Sequence, residues 1–203
     1  MRLDVLSEAY LPPRLAARED RLRALRAAEG LVAIVGPAGA GKTTLARLAF
    51  PNALWVDCGS TPSYASIRAS LRGFTGGRAV VLDDFTLAQR TPQLWEHVLR
   101  LSRSGRVVLV AHPSIRGELR GAQLVEMPPY SAEELYQILE DRALQGNLPV
   151  TDKVLRFIAE KVGYPKGSGS ARLALRALRY ALQTAQGPVS LRHAELAFSL
   201  LEL

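Results

Sequence analysis

Cysteine is almost missing from this chain of 203 residues: Cys58 stands alone, so no internal disulfide can form and nothing points to an oxidising compartment. Long apolar runs are missing too, since none approaches the ~20 residues that cross a bilayer. The N-terminus, "MRLDVLSEAY", carries acids and lacks the long apolar centre of a secretory signal. The chain therefore reads as cytoplasmic, with no membrane partner. It contains no internal repeat and no low-complexity segment. Lysine is scarce: four lysines among the 26 basic residues leave 22 arginines. Against 19 acids this gives a formal charge of +7, a balance that suits polyanions such as nucleic acid or nucleotides. A surface in which Arg replaces Lys through genome composition or heat adaptation has the same arithmetic.

What is present is ordinary for a globular protein, with 48% apolar and 22% charged residues. The length fits one large domain or a domain with a small appendage. "LPPRLAARED" opens on a Pro-Pro bend and leads into an amphipathic helix through about Ala28, ended by Gly30. "LVAIV" (31–35) is a continuous apolar run bounded by glycine, the pattern of a strand buried on both faces. A helix from Lys42 to Phe50 stops at Pro51, "ALWVD" (53–57) is a second strand, and "SYASIRASLR" a short helix broken by "GFTGG". "AVVLDDF" (79–85) and "RVVLVAH" (106–112) are further strands around the helix "TPQLWEHVLRLSRSG", which has Pro in its first turn. "QLVEM" (123–127) is a fifth strand. Strands alternating with helices imply a mostly parallel sheet with helices on both faces.

After Pro128 and Pro129 the texture changes. "SAEELYQILEDRALQ" opens with a capping box, Ser131 and Glu134, and three more helical segments follow, each starting at Ser or Thr. The expected division is an α/β nucleotide-binding domain over residues 1–127 and a small all-helical domain over 128–203.

The chemistry concentrates in one stretch. Gly36, Pro37, Ala38, Gly39, Ala40, Gly41, Lys42 and Thr43 match G-x-x-x-x-G-K-[ST] between a buried strand and a helix. Glycines let backbone N–H groups turn inward as an anion nest, and the helix that follows aims its positive end at the same point. Lys42 then reaches the β and γ phosphates of ATP, or the β phosphate of ADP, with Thr44 completing the loop and the Thr43 hydroxyl on Mg²⁺. "AVVLDDF" supplies the acids: Asp83 to hold the metal's water shell beside Thr43, and Asp84 to orient an attacking water. Two carboxylates at a strand end also serve as a helix cap and a surface turn. Asp84 is one methylene shorter than glutamate, which suggests slow hydrolysis.

With these residues the chain resembles the AAA+ ATPases, and among them the archaeal and eukaryotic origin-recognition and initiator-loader (Orc/Cdc-type) ATPases of DNA replication. "YLPPRLAARED" resembles the family's segment beside adenine, "MPPYSAEELYQILEDRA" its hinge and first lid helix, and "GSARLALRALRYA" its sensor helix. The resemblance implies a P-loop NTPase with a RecA-like αβα sheet and a helical lid. It implies adenine contacts from Pro12, Arg14, Leu15, Arg18, Tyr130 and Ile138, and a phosphate contact from Arg172. Hinge packing for Tyr130, solvated caps of the first helix for Arg14 and Arg18, and the end of a helix face in a solvated patch for Arg172 are the plainer roles. Where the family has a polar sensor, usually Asn, this chain has "VAHPS", so His112 substitutes, packs at the strand end, or leaves the contact unmade. The family's arginine finger, which acts on a neighbouring subunit, corresponds to Arg116, with Arg120 as second choice.

The family continues into a winged-helix DNA-binding domain, which is not expected in a chain ending at Leu203. The helix holding Arg68 and Arg72 takes the place of the family's extra DNA-facing element, or is a solvated basic helix. The expected activity is slow ATP hydrolysis in a nucleotide-dependent switch for DNA replication or remodelling. It would act through self-association or another AAA+ subunit, with weak non-specific DNA binding. A regulatory AAA+ partner that binds no DNA, and a P-loop small-molecule kinase, are the alternatives.

Overall fold

The computed structural model of the chain describes residues 1–72, 74 and 77–201. Most of the "GFTGG" break expected after the short basic helix, and the last two residues of the final helical segment, lie outside the described residues. By packing, the chain divides into two compact units: Glu19–Pro37 with Gly41–Met127, and Met1–Arg18 with Ala38–Ala40 and Pro128–Leu203.

The first unit is an α/β sheet. Helix α1 spans Glu19–Ala27, strand β1 Leu31–Val35, helix α2 Lys42–Ala49, strand β2 Leu54–Asp57 and helix α3 Tyr64–Ser70. Strand β3 spans Val80–Asp83, helix α4 Pro92–Ser104, strand β4 Val107–Ala111 and strand β5 Gln123–Glu126. All pairings are parallel and the strand order is β2-β3-β4-β1-β5. The unbroken apolar runs of β1 and β4 are buried at every position, whereas β2 at the sheet edge is buried only at Val56.

The chain leaves β1 toward β2 in one direction and steps from β2 to β3 to β4 in the other. Right-handed crossovers therefore put α3 and α4 together on one face and α2 on the opposite face. On the α3/α4 face, Ile67, Leu94 and Val98 pack on Ala33, Leu82 and Leu109. The local signals act where expected: the Thr91 hydroxyl caps α4 ahead of a first-turn proline, and the Ser63 hydroxyl caps α3.

The second unit is helical. Helix α5 spans Ala132–Gly146, α6 Asp152–Val162, α7 Ala171–Thr184 and α8 Leu191–Leu200. The capping box of α5 is formed: Glu134 N–H donates to Ser131 Oγ at 3.2 Å, and Ser131 N–H to Glu134 Oε2 at 2.8 Å. The core joins Leu135 and Leu139 of α5 to Ile158 of α6, Leu178 of α7 and Ala197 of α8. A single 3₁₀ turn, Leu3–Leu6, adds the buried Val5 and Leu6 to this core. Each such fully buried aliphatic side chain contributes about 1.5–3 kcal/mol, which is why the N-terminal segment belongs with these helices.

Candidate functional site

In an open parallel sheet, ligands bind beyond the carboxyl ends of the strands where the order of connections reverses. That point lies after β1, and there the chain makes its glycine-rich bend. Gly36 is glycine for a packing reason: a Cβ would sit 2.3 Å from the carbonyl oxygen of Met127, just past β5. Gly39 and Gly41 have φ of +78° and +83°, the left-handed region that other residues enter at a cost. Gly41 is the N-cap of α2, so this backbone turns straight into a helix whose first residue is Lys42. Within the α/β unit, Lys42 Nζ donates to the Pro37 carbonyl at 2.8 Å, which holds the ammonium against the loop.

One residue on, the Thr43 hydroxyl donates to Asp83 Oδ1 at 3.0 Å. Forty positions apart in sequence, these two side chains meet because β3 ends level with the start of α2. Burial pushes the Asp83 carboxyl above its usual range; the bond from Thr43 opposes that shift and the neighbouring Asp84 charge adds to it. Asp84 is exposed, with φ of +48°. It precedes a 3₁₀ turn, Phe85–Leu87, and its carboxylate makes no capping bond there. The cap-and-turn role open from sequence therefore falls to its backbone alone, leaving the carboxylate in solvent.

Several residues that hold this turn carry no sequence signal. Phe85 is fully buried, edge-on to Trp95 at 5.3 Å. Thr86 Oγ1 accepts from the His112 N–H at 2.7 Å. Arg90 Nε donates to Glu118 Oε2 at 2.7 Å and its Nη1 to the Ala88 carbonyl at 3.2 Å. The Asp84 turn is thus tied to the 3₁₀ segment Pro113–Glu118 that follows β4. His112 caps that segment, its Nδ1 accepting from Ser114 N–H at 3.2 Å, and its side chain is exposed rather than packed at the strand end. Arg116, also exposed, pairs with Glu126 at the end of β5. Arg120 is exposed and makes no ion pair among the described residues.

The residues implied for adenine all fall in the helical unit, and they separate by burial. Pro12, Leu15, Tyr130 and Ile138 are buried. Arg18 is 5% exposed: its guanidinium pairs with Glu134, donates to the Pro128 carbonyl at 2.9 Å, and lies 4.1 Å from the centre of the Tyr130 ring. Burial pushes the Tyr130 phenol up to about 12. This cluster fixes the entry to α5, and its burial shows that Arg18 is no solvated cap. Arg14 and Arg172, in contrast, are exposed: Arg14 Nη2 meets Asp141 at 3.1 Å and Arg172 Nε meets Glu8 at 2.9 Å. Pairs such as Arg18–Glu134 and Arg172–Glu8 join residues more than 100 positions apart, which no local spacing reveals.

No family model matches this chain. Over 77 residues, 36% of this chain and 18% of the relative, it is 43% identical to the ORC1-type DNA replication protein 2 of Saccharolobus solfataricus. Over 86 residues it is 42% identical to the protein of the same name from Sulfolobus acidocaldarius, covering 37% of this chain and 20% of that one. The matched stretch is therefore about a fifth of those relatives' length. Among solved structures, the Aeropyrum pernix ORC2 protein in its ADPNP–ADP complexes superposes with a TM-score of 0.82 at 21% identity, over 98% of this chain and 72% of that one. Cdc6p of Pyrobaculum aerophilum gives 0.76 at 22% identity, over 92% and 66%. The RuvB Holliday junction branch migration motor of Thermotoga maritima gives 0.71 at 18%, over 97% and 73%. The chain thus has the P-loop AAA+ fold with a helical C-terminal portion, and it resembles the archaeal Orc/Cdc6-type replication ATPases in fold and in local sequence.

Proposed function

We propose that this AAA+ chain, similar to the Orc/Cdc6 replication proteins, is a replication-initiator-type ATPase: it binds ATP and Mg²⁺, hydrolyses ATP slowly and reports the nucleotide state. The observation that carries the reading is the bond between Thr43 and Asp83 beneath a left-handed glycine loop that opens directly into α2. Loop amides and Lys42 would hold the phosphates. Thr43 and Asp83 fit Mg²⁺, which takes oxygen ligands, keeps several waters and needs only one or two protein groups beside the phosphates. When bound, the ion would neutralise negative charge on the phosphates. The carboxylate of Asp83, destabilised by burial in the free protein, gains a cation there.

Asp84 projects its exposed carboxylate from a turn pinned by Phe85 and Thr86, which suits a group that orients a water for in-line attack. Exposed Arg172, on the first turn of α7, is the residue that the resemblance assigns to the nucleotide phosphates, and exposed Arg14 one that it assigns to the base. Exposed Arg116 is suited to reach a neighbouring subunit's γ-phosphate, so the functional state in this reading is an oligomer or a complex with another AAA+ protein.

The test is calorimetry of ATP and ADP with Mg²⁺. Wild type binds both, and Lys42→Ala lowers affinity by roughly 10–100-fold, the loss expected for a charge-assisted contact of about 1.5–3 kcal/mol. Unchanged affinity in the variant would remove the phosphate site from this loop.

A further inference from the structure

Helix α7 has three arginines and no acid in its 14 residues, "ARLALRALRYALQT". Ala174, Ala177, Leu178, Ala181 and Leu182 face the core, which fixes the outward side. On that side Arg172, Arg176, Arg179 and Gln183 are all exposed. At 3.6 residues per turn, positions i, i+4, i+7 and i+11 fall on one narrow stripe. The three guanidiniums therefore form a row about 10 Å long, from seven steps of ~1.5 Å.

The row is arranged against the helix's own interests. Like charges at i,i+3 and i,i+4 repel, and Arg172 lies in the first turn, where the helix dipole disfavours a cation. Arg172 is answered by Glu8 at 2.9 Å. Among the described residues, Arg176 and Arg179 make no ion pair and no hydrogen bond. A solvated helix relieves such repulsion by interspersing acids, and α7 has none.

We infer that the Arg172–Arg176–Arg179 face of α7 is a docking surface for the phosphate backbone of duplex nucleic acid, with no reading of bases. Charge complementarity selects this partner. Three guanidiniums about 6 and about 4.5 Å apart along the helix face a strand that carries one negative charge per ~3.4 Å of duplex axis. Guanidinium forks bind phosphate oxygens in pairs. Sequence readout needs side chains carried into a groove, and the bulk of α7 is locked into the core of its own unit. The row shares Arg172 with the nucleotide reading, so the test changes only Arg176 and Arg179, which have no part in that reading.

The experiment is fluorescence anisotropy of a fluorescein-labelled mixed-sequence duplex, titrated with the full chain at several salt concentrations. Three double variants are compared with wild type: Arg176→Gln with Arg179→Gln, Arg176→Lys with Arg179→Lys, and Arg68→Gln on α3 with Arg72→Gln just past its end. Gln and Lys are good helix formers, and a circular dichroism melt checks that each variant is folded. Each phosphate contact adds about 0.9 to the slope of log affinity against log salt. The Gln pair on α7 should flatten that slope by about 1.8 and lower low-salt affinity by 10-fold or more. The Lys pair should keep most of both. Three results overturn the inference. Wild-type slope and affinity in the α7 Gln pair would do so. An equal loss from the Arg68 and Arg72 pair would mean that only net charge matters. The absence of duplex binding by wild type at low salt would leave the row to some other partner, such as an acidic protein surface.

Discussion

The two units hold their candidate functional residues in opposite ways. In the α/β unit they come from the ends of adjacent elements, are partly open to solvent, and touch one another: Lys42 on the loop, Thr43 on Asp83, Asp84 beside it. In the helical unit the residues implied by resemblance are either sunk in the core, like Arg18 and Tyr130, or paired at the surface, like Arg14 and Arg172. The difference separates two jobs. A phosphate site is made of backbone geometry and a few short-range side chains, so it can be written in eight consecutive residues. A hinge is made of buried contacts between distant segments, and a residue there can matter to the fold without meeting a ligand.

The sharpest break of this comparison would come from the exposed residue that has no ligand within its own unit. Arginine fingers supplied in trans change turnover by ~10³–10⁵. Turnover per subunit should rise with protein concentration, and Arg116→Ala should abolish the rise while leaving ATP affinity unchanged. Loss of its pair with the exposed Glu126 should cost under about 1 kcal/mol of stability, since such pairs are screened. Concentration-independent turnover in wild type would mean that this arginine does not act between copies of the chain.

Next in size are the paired carboxylates. Asp84→Asn should lower turnover by ~10²–10⁴ with nucleotide affinity nearly unchanged, because its carboxylate makes no bond that holds the loop. Asp83→Asn should instead weaken the Mg²⁺ dependence of binding. With no nucleotide present it should stabilise the protein at neutral pH. The sign follows from the raised folded pKa: a raised carboxyl costs stability as pH climbs through the acid range and the charge is forced onto a buried site. Chemical denaturation of both variants at pH 4 and pH 7 reads this, and a gain that does not grow with pH would contradict the assigned cause.

The hinge side of the comparison predicts effects on stability. Arg18→Ala removes a buried guanidinium from the Pro128 carbonyl and from Glu134, which keeps its Ser131 N–H bond and is partly exposed. The loss should therefore fall below that of a fully buried pair, about 3–5 kcal/mol, and above that of an exposed one. Arg172→Ala, removing an exposed pair, should cost under about 1 kcal/mol while weakening nucleotide binding. Equal destabilisation by the two, in urea titrations followed by circular dichroism, would erase the distinction between scaffold and ligand residues in this unit.

Much of the fold was legible in the sequence, and the reasons differ by element. β1, β3 and β4 are short apolar runs bounded by glycine, acid or basic residues, and the structure turns each into a strand within two residues of its expected ends. Helices α4 and α5 announce themselves by Thr91 with Pro92 and by Ser131 with Glu134, where capping is a local act. Local signals do not extend to partners. Nothing around Glu134 marks it as Arg18's counter-ion as well as a capping residue. Nothing around Thr86 or Arg90 marks them as the ties between the Asp84 turn and the segment after β4. His112 was readable as a polar group at a strand exit, but its role as the cap of its own 3₁₀ segment depends on the proline that follows it. The resemblance supplied the positions near adenine; it could not say which of them are buried, because burial is set by the packing of all four helices and the N-terminal turn.

The smallest expected effect is also a direct reading of the two cores. Burial pushes the Cys58 thiol in the α/β unit from 9.0 up to about 12, and the Tyr130 phenol in the helical unit from 10.0 up to about 12. Both groups stay neutral in the folded protein over a range where the unfolded chain ionises. Each contributes stability that is complete below its ordinary pKa and is lost as pH rises toward the folded value. The α/β unit should therefore begin to weaken near pH 9 and the helical unit near pH 10. Trp55 and Trp95 are the two tryptophans of the chain and both lie in the α/β unit, so their fluorescence follows that unit while circular dichroism is weighted toward the helices. Urea midpoints at pH 8, 9, 10 and 11 provide the measurement. The fluorescence midpoint should fall first, and Cys58→Ala should delay that fall by removing the thiol. Tyr130→Phe should delay the fall seen by circular dichroism and leave the fluorescence midpoint in place at pH 9. A Cys58→Ala variant that tracks wild type at every pH would show that the thiol is reached by solvent, and with it the face of the sheet on which α3 and α4 pack.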